Sequence, residues 1–331
     1  MPDVHDLVVF GSARMDAFLM LPNNKVEQHC SLDTKRCKIE LSYSAKLGLD
    51  DAVFEVGGNG ANVAVGVTRL GRSATLVAEL GEGPLADHAH SELAKELDMG
   101  LVSRTAGVRE GFGAVIVYQG ERTILSYYSP KRPPFPHDIP SAPWAYLTSV
   151  GDKFEEYYDD VLVWLSKHDA RLVFNPGGRQ IAKDGEWLKR FLERTEVLIV
   201  NREEAEAIVK SESSLGREKE LIDSLFALGP KIVVVTDGPA GSYAATSGKY
   251  YKMGIYPVDA IERTGAGDSY STGLIAAYLD GRELPEAMLW GTLNAASVIG
   301  YIGPEDGLLK KEKMEEWIKL AEGMSLKAEE F

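Results

Sequence analysis

Asp268 ends a glycine-rich loop, Glu262-Arg263-Thr264-Gly265-Ala266-Gly267-Asp268, and opens a run, Ser269-Tyr270-Ser271-Thr272-Gly273, that leads into a helical pattern over 274–279. Glycines there let the backbone approach a ligand closely and take dihedrals closed to other residues. The first amides of a helix have no internal partner, and with the helix dipole they form an anion site. A carboxylate at that position caps a helix well. It could equally serve as a base beside amides that hold a developing negative charge, the combination phosphoryl transfer needs. The local pattern leaves both readings open.

Other stretches have donor and acceptor sets of the same kind. Gly57-Gly58-Asn59-Gly60-Ala61-Asn62 sets paired glycines before a helix, with two side-chain amides that could both donate to and accept from hydroxyls. It could also be a plain strand-to-helix turn. It is not the dinucleotide fingerprint, because Val63 stands where the third glycine belongs. Asn201 and Glu204 follow an apolar run over 197–200 and are three apart, hence on one face of a helix start. They could hold a hydrated magnesium ion over phosphates, or be an N-cap with acidic first-turn residues. Thr236-Asp237-Gly238-Pro239-Ala240-Gly241 and Asn175-Pro176-Gly177-Gly178 each end a strand and suit either a ligand contact or a bend. The chain has no G-x-x-x-x-G-K-[ST] loop and no H-E-x-x-H. Lys131, Arg132 and Arg122 read as solvated surface, or as an edge that senses a phosphate.

These residues need a scaffold that brings strand ends together. A buried strand is predicted at 7–10, with Asp16 soon after it. Short half-polar strand pieces over 25–56, and a hairpin of 113–118 with 123–128, predict a small sheet outside the main one. From residue 144 onward apolar strands alternate with helices, which predicts a parallel sheet covered on both faces. Strands at 242–245 and 250–254 add an antiparallel edge, and the chain from Ser269 on is predicted to be almost all helix, most clearly over 284–298 and 311–320.

The 331 residues, 26% charged and 44% hydrophobic, describe a globular chain. A net charge of −14 disfavours nucleic acid or an anionic membrane as partner. No stretch approaches a membrane span. Cys30 and Cys37 are the only cysteines. With no leader in view, a disulfide is not expected and a reducing, cytoplasmic location is.

The order Gly11…Asp16, Gly57-Gly58-x-x-Ala61-Asn62, Asn175-Pro176-Gly177, Asn201-x-x-Glu204, Thr236-x-Gly238-x-x-Gly241, Thr264-Gly265-Ala266-Gly267-Asp268 resembles the ribokinase-like (PfkB) family of carbohydrate and nucleoside kinases. The resemblance covers nearly the whole chain. It implies one α/β kinase domain over 1–331, a mostly parallel central sheet with helices on both faces, and a small β-sheet lid from about 20–56 and 110–130. It implies ATP and Mg²⁺ as cofactors and a small sugar, of ribose or fructose type, as acceptor. A nucleoside kinase, or a sensor that binds without transfer, are the alternatives. Asp268 matches the family's base, and Gly265, Ala266 and Gly267 its anion hole. Asp16, Gly58, Asn59 and Asn62 match acceptor-binding positions, and Glu204 with Asn201 the magnesium and phosphate motif. Thr236, Gly238 and Gly241 match the nucleotide side, and Asn294 a residue near the adenine. The family often has Asp-Thr-Thr where this chain has Glu262-Arg263-Thr264. In some members that Asp contributes to a monovalent-cation (K⁺) site, whereas Arg263 could instead neutralise nucleotide phosphates. Exposed lid edges suggest a homodimer.

Overall fold

The computed structural model describes residues 5–24, 26–30, 37–183 and 185–331. The strands, in chain order, are β1 (Leu7–Phe10), β2 (Arg14–Met20), β3 (Glu27–Cys30), β4 (Cys37–Glu40), β5 (Asp51–Gly57), β6 (Ala74–Glu79), β7 (Val102–Ser103), β8 (Phe112–Tyr118), β9 (Glu121–Tyr127), β10 (Trp144–Leu147), β11 (Arg171–Phe174), β12 (Thr195–Asn201), β13 (Ile232–Thr236), β14 (Ser242–Thr246), β15 (Lys249–Met253) and β16 (Glu329–Glu330). The helices are α1 (Asn59–Arg69), α2 (Pro84–Leu93), α3 (Glu155–His168), α4 (Gly178–Lys183), α5 (Glu186–Arg194), α6 (Arg202–Val209), α7 (Glu218–Phe226), α8 (Ala266–Leu279), α9 (Leu284–Val298) and α10 (Lys311–Gly323).

Strands that are apolar on both faces must be covered on both faces. Those of this chain, β1, β6 and β10 to β14, are the inner strands of one ten-stranded sheet in the order β16-β15-β14-β13-β12-β11-β10-β1-β6-β7, whose edge strands β15 and β16 are more exposed. It is parallel from β13 to β7 and antiparallel from β13 through β16. Side chains alternate between its faces. Leu7 and Val9 of β1 join a core with residues of α1, α8 and α9; Val8 and Phe10 join the opposite core with residues of α3, α5 and α7. α8 lies deep in the first core and is buried from Ser269 to Ala277, which is why its sequence has no polar face.

A second sheet, β5-β2-β8-β9, stands apart from the first. Its strand β2 was not legible in the sequence, because Arg14 and Asp16 break the apolar run without giving a clean alternation. Register rows set Glu55, Asp16, Gly113 and Ser126 on one face, and Phe54, Ala17, Ala114 and Leu125 on the other. α2 packs against β2. The β8–β9 turn is Gln119-Gly120, both with positive φ, as a two-residue hairpin turn requires.

β3 and β4 form a separate antiparallel ribbon, and there the cysteine expectation is corrected: Cys30 and Cys37 are opposite each other in register and are joined by a disulfide. Seven residues of sequence separation gave no sign of this; the antiparallel pairing itself brings the two Cα atoms to 4.0 Å. Among the described residues no helix is long and apolar enough to cross a membrane.

Candidate active site

In an open parallel sheet the usable crevice lies beyond the C-terminal strand ends. Here the ends of β1, β12 and β13 deliver Gly11, Asn201 and Thr236 to that side. Asp268 enters it in the first turn of α8. Gly265 is the N-cap, at φ 78°, and an added Cβ there would lie 2.5 Å from Pro304 Cβ, so the turn into α8 admits only glycine. The amides of Gly265, Gly267 and Asp268 have no hydrogen-bond partner among the described residues, whereas Ala266 N donates to Arg263 O at 3.3 Å.

The Asn62 side-chain amide donates to Asp268 Oδ2 at 2.7 Å. Burial pushes the Asp268 carboxyl up to about 6; the Asn62 bond and the charges of Arg14 and Arg122 oppose the shift, and Asp16 adds to it. Asp16, 3% exposed, accepts from Arg14 Nε at 2.7 Å. Burial raises its carboxyl as well, with Arg14 acting against the rise. Its oxygens fit between two glycines: a Cβ on Gly57 would lie 2.5 Å from Oδ2, and one on Gly113 2.1 Å from Oδ1. Gly58 is the N-cap of α1, and Asn59 is its half-buried first residue.

On the other side of the Asp268 loop lies a cavity of about 670 Å³. Thr236, Gly238, Gly241, Arg263, Ala266 and Gly267 all line it. So do Tyr256, Pro257 and Val258, a segment for which the sequence offers one sign, Pro257 between a strand and the glycine loop. Asn294 does not line it. It is fully buried, donating to Ser269 O at 2.8 Å and accepting from Leu309 N at 3.0 Å, and its neighbours Thr292, Ala295 and Ala296 line the cavity instead.

Asn201 and Glu204 form a reciprocal capping box: Glu204 N donates to Asn201 Oδ1 at 2.8 Å, and Asn201 N donates to Glu204 Oε2 at 3.0 Å. Burial pushes the Glu204 carboxyl up to about 7; the bond from Asn201 N opposes this, and the charge of Asp268 adds to it. Glu204 Oε1 has no hydrogen bond among the described residues. Nor does any group of three or more His, Cys, Asp or Glu converge there to hold a metal. One free carboxylate oxygen without further protein ligands fits a Mg²⁺ ion that takes its other oxygens from phosphates and water.

Glu262 does not fit a K⁺ site. Both its oxygens accept from Thr264 N at 2.8 Å, Oε1 also accepts from Thr264 Oγ1, and Arg122 Nε lies 4.0 Å from Oε1. A further cation would meet that guanidinium. Arg263 pairs with Glu121 at 2.7 Å. The turn side of the β8–β9 hairpin therefore meets the glycine loop through two crossed ion pairs, and Arg122 is not free surface. Lys131 and Arg132 lie elsewhere: Arg132 pairs with Asp160, and Lys131 Nζ reaches Gly107 O at 3.4 Å. Asn175 ties strand ends together, accepting from Tyr146 Oη at 3.2 Å and donating to Ile199 O at 2.7 Å.

A helix-covered, mostly parallel sheet with a smaller accessory sheet beside its strand ends is the ribokinase-like fold. The chain belongs to the family described as pfkB family carbohydrate kinase, whose profile matches residues 27–311. The chain is 23% identical over 304 residues to a 5-dehydro-2-deoxygluconokinase of Halalkalibacterium halodurans, covering 82% of this chain and 87% of that protein. It is 29% identical over 238 residues to a fructokinase of Klebsiella pneumoniae, covering 66% and 76%. A structure of Arabidopsis thaliana ribokinase complexed with ribose and ATP superposes with a TM-score of 0.77 at 17% identity, covering 96% of this chain and 99% of that one. The class is that of ATP-dependent kinases of small sugars or nucleosides.

Proposed function

We propose that the protein moves the γ-phosphoryl group of ATP to a hydroxyl, a hydroxymethyl in sugars of ribose or fructose type, with Asp268 as the base. The single observation that carries this is the position of Asp268. On one side it meets Asn62, on the other the 670 Å³ cavity reached through Ala266 and Gly267. Asp268 takes the hydroxyl proton as the acceptor oxygen attacks phosphorus in line. The new O–P bond forms, the bond to the β-phosphate oxygen breaks, and ADP leaves. The Gly265-Ala266-Gly267 loop, with the Gly265 and Gly267 amides unpartnered, binds the transferring oxygens, and a base whose carboxyl sits near 6 is ionised at neutral pH yet basic enough to accept the proton. Asp16, Gly58, Asn59 and Asn62 hold the acceptor. Thr236, Gly238, Gly241 and Arg263 line the nucleotide side, with Asn201 beside them. Glu204 would hold Mg²⁺, which when bound neutralises phosphate charge.

The accessory sheet acts as a lid in one kinase domain, and its crossed pairs to the glycine loop support closure that excludes water. Phe54, Leu125 and Tyr127 are 52%, 58% and 41% exposed on the sheet's outer face. They favour a homodimer through the lid, for which light scattering at a monomer mass would be contrary. The proposed site of action is the cytoplasm. Kinase action itself is tested by incubating the protein with ATP, Mg²⁺ and a panel of sugars and nucleosides. A phosphorylated sugar supports the reading; turnover of nucleosides alone replaces it.

A further inference from the structure

Arg202 is the first residue of α6, directly after Asn201, and its side chain is 9% exposed. Nη2 donates to Asp237 Oδ2 at 2.7 Å and to Glu218 Oε1 at 3.0 Å, and Nη1 donates to Ser214 Oγ at 3.0 Å and to Ser214 O at 3.2 Å. The guanidinium carbon lies 5.6 Å from the centroid of the Tyr243 ring on β14. Nε alone has no partner among the described residues. A guanidinium that commits its donors in one rigid plane holds its neighbours in one arrangement.

Its two carboxylate partners belong to different parts of the fold. Glu218 opens α7, and no residue of that helix lines the 670 Å³ cavity. Asp237 sits in the 236–241 turn, and Thr236, Gly238 and Gly241 on either side of it line that cavity, although Asp237 and Arg202 do not. Asp237 N donates to Gly241 O at 2.8 Å and Ala240 N donates to Asp237 O at 2.9 Å, which closes the turn. Among the described residues Asp237 is the one side chain of the turn with a hydrogen bond or ion pair. Thr236 stands beside Asn201 in the parallel register of β12 and β13. Arg202 therefore ties the strand end that carries the Asn201–Glu204 capping box to the strand end that carries the turn.

We infer that Arg202 is a positioning residue for the donor nucleotide: by holding Asp237 it fixes the 236–241 turn against the start of α6, and so fixes the nucleotide cavity relative to Asn201 and Glu204. Such a residue acts through geometry, so its loss weakens nucleotide binding without removing a group that touches the nucleotide. A lysine keeps the charge but offers no planar fork for two carboxylates and a serine. Glu218 and Asp237 form a matched comparison. Both accept from the same nitrogen, and their side chains are 18% and 19% exposed, so losing either costs the fold a similar ion pair, but only Asp237 carries the turn. The inference rests on the kinase reading above, which places the donor in that cavity.

The test compares wild type with Asp237→Ala, Glu218→Ala, Arg202→Lys, Arg202→Met and the double variant Arg202→Met with Asp237→Ala. Calorimetry with ATP and Mg²⁺ in the absence of acceptor gives the Kd for the donor, steady-state rates give KM for ATP and for the best acceptor, and thermal unfolding gives the cost to the fold. The expected result is a Kd and KM for ATP about ten-fold or more higher in Arg202→Met and at least five-fold higher in Asp237→Ala and Arg202→Lys, with the acceptor KM within about three-fold of wild type. Glu218→Ala should lose a similar melting temperature to Asp237→Ala while its ATP affinity stays within about two-fold of wild type. The double variant should bind ATP no more than about two-fold more weakly than Arg202→Met alone, because the two residues act as one clamp. If Arg202→Met does not fold, the two alanine variants decide. ATP affinity unchanged in Asp237→Ala, equal losses in Asp237→Ala and Glu218→Ala, or a parallel rise in both KM values would overturn the inference while leaving the kinase reading intact. The expected pattern of ATP binding in a wild type that phosphorylates no acceptor would reject the kinase and keep the clamp; a wild type that binds no ATP would overturn both.

Discussion

Asn62, in the first turn of α1, donates its side-chain amide to Asp268 Oδ2 at 2.7 Å, across 206 residues of sequence. The bond joins two glycine-led helix starts into one site. It also favours the ionised carboxylate against burial. Removing it should raise the Asp268 carboxyl further. In Asn62→Ala the acid limb of the kcat/KM profile should therefore move to higher pH, with a loss of roughly ten-fold or more in kcat. In Asn62→Asp a like charge should move it further. A pH profile of phosphorylation reads both shifts.

Asp268 should lower the stability of the fold at neutral pH. Its carboxyl rises from 3.8 to about 6 on folding, so between those values the folded chain keeps a proton that the unfolded chain has released. Stability from this group is thus present below about pH 4, falls as pH rises to about 6, and stays lost above. Because the side chain keeps an opening to the cleft, the cost is on the order of 1–2 kcal/mol rather than the full equivalent of the shift. Asp268→Asn should melt a few degrees higher than wild type at pH 7.5, with the gap closing by pH 4, in thermal unfolding across that range.

The crossed pairs Arg122–Glu262 and Arg263–Glu121 differ in weight. Glu121 and Arg263 are exposed, and such a pair contributes about 0–1 kcal/mol. Glu262 is 1% exposed, so losing Arg122 leaves a buried carboxylate without a countercharge. Arg122→Ala should lose more melting temperature and more kcat/KM, roughly ten-fold, than Arg263→Glu, and should raise ATP hydrolysis in the absence of acceptor. Since Arg122 already faces Glu262, replacing KCl by tetramethylammonium chloride at equal ionic strength should change kcat less than two-fold. Steady-state rates in the two salts check this.

The Cys30–Cys37 bond crosses a two-stranded ribbon whose strands are exposed and pair with no other sheet. An isolated ribbon of this kind is marginal in water. Reduction, or Cys30→Ser with Cys37→Ser, should open strands β3 and β4 to limited proteolysis while moving the main unfolding transition by no more than about 2 °C. Mass spectrometry of the first cleavage products locates the change.

Much of this was legible in residue types. Apolar runs at 7–10, 197–200 and 232–235 set the parallel sheet, and the glycine pairs before α1 and α8 marked the two halves of the site. What stayed hidden depended on tertiary neighbours. Arg14 carries no motif, and its role arises from Asp16, two residues on, whose carboxylate its Nε meets at 2.7 Å. Arg122 read as surface because Glu262 is 140 residues away in the chain but 4.0 Å away in space. Asn294 has the residue type of a ligand contact, yet both ends of its amide are taken up joining α8 to the loop after α9. Asn201 and Glu204 admitted a cap and a metal position as alternatives. The capping box is formed, and the free Glu204 oxygen leaves the second role available.

The account depends on Asp268 as the group that receives the acceptor's proton. The direct measurement is single-turnover phosphoryl transfer from [γ-³²P]ATP to the best acceptor by wild type and Asp268→Asn, with calorimetry confirming that the variant still binds ATP and acceptor. The account predicts a fall in the transfer rate of at least about a thousand-fold with both affinities within a few-fold of wild type. Transfer by Asp268→Asn at a rate near that of wild type would contradict it.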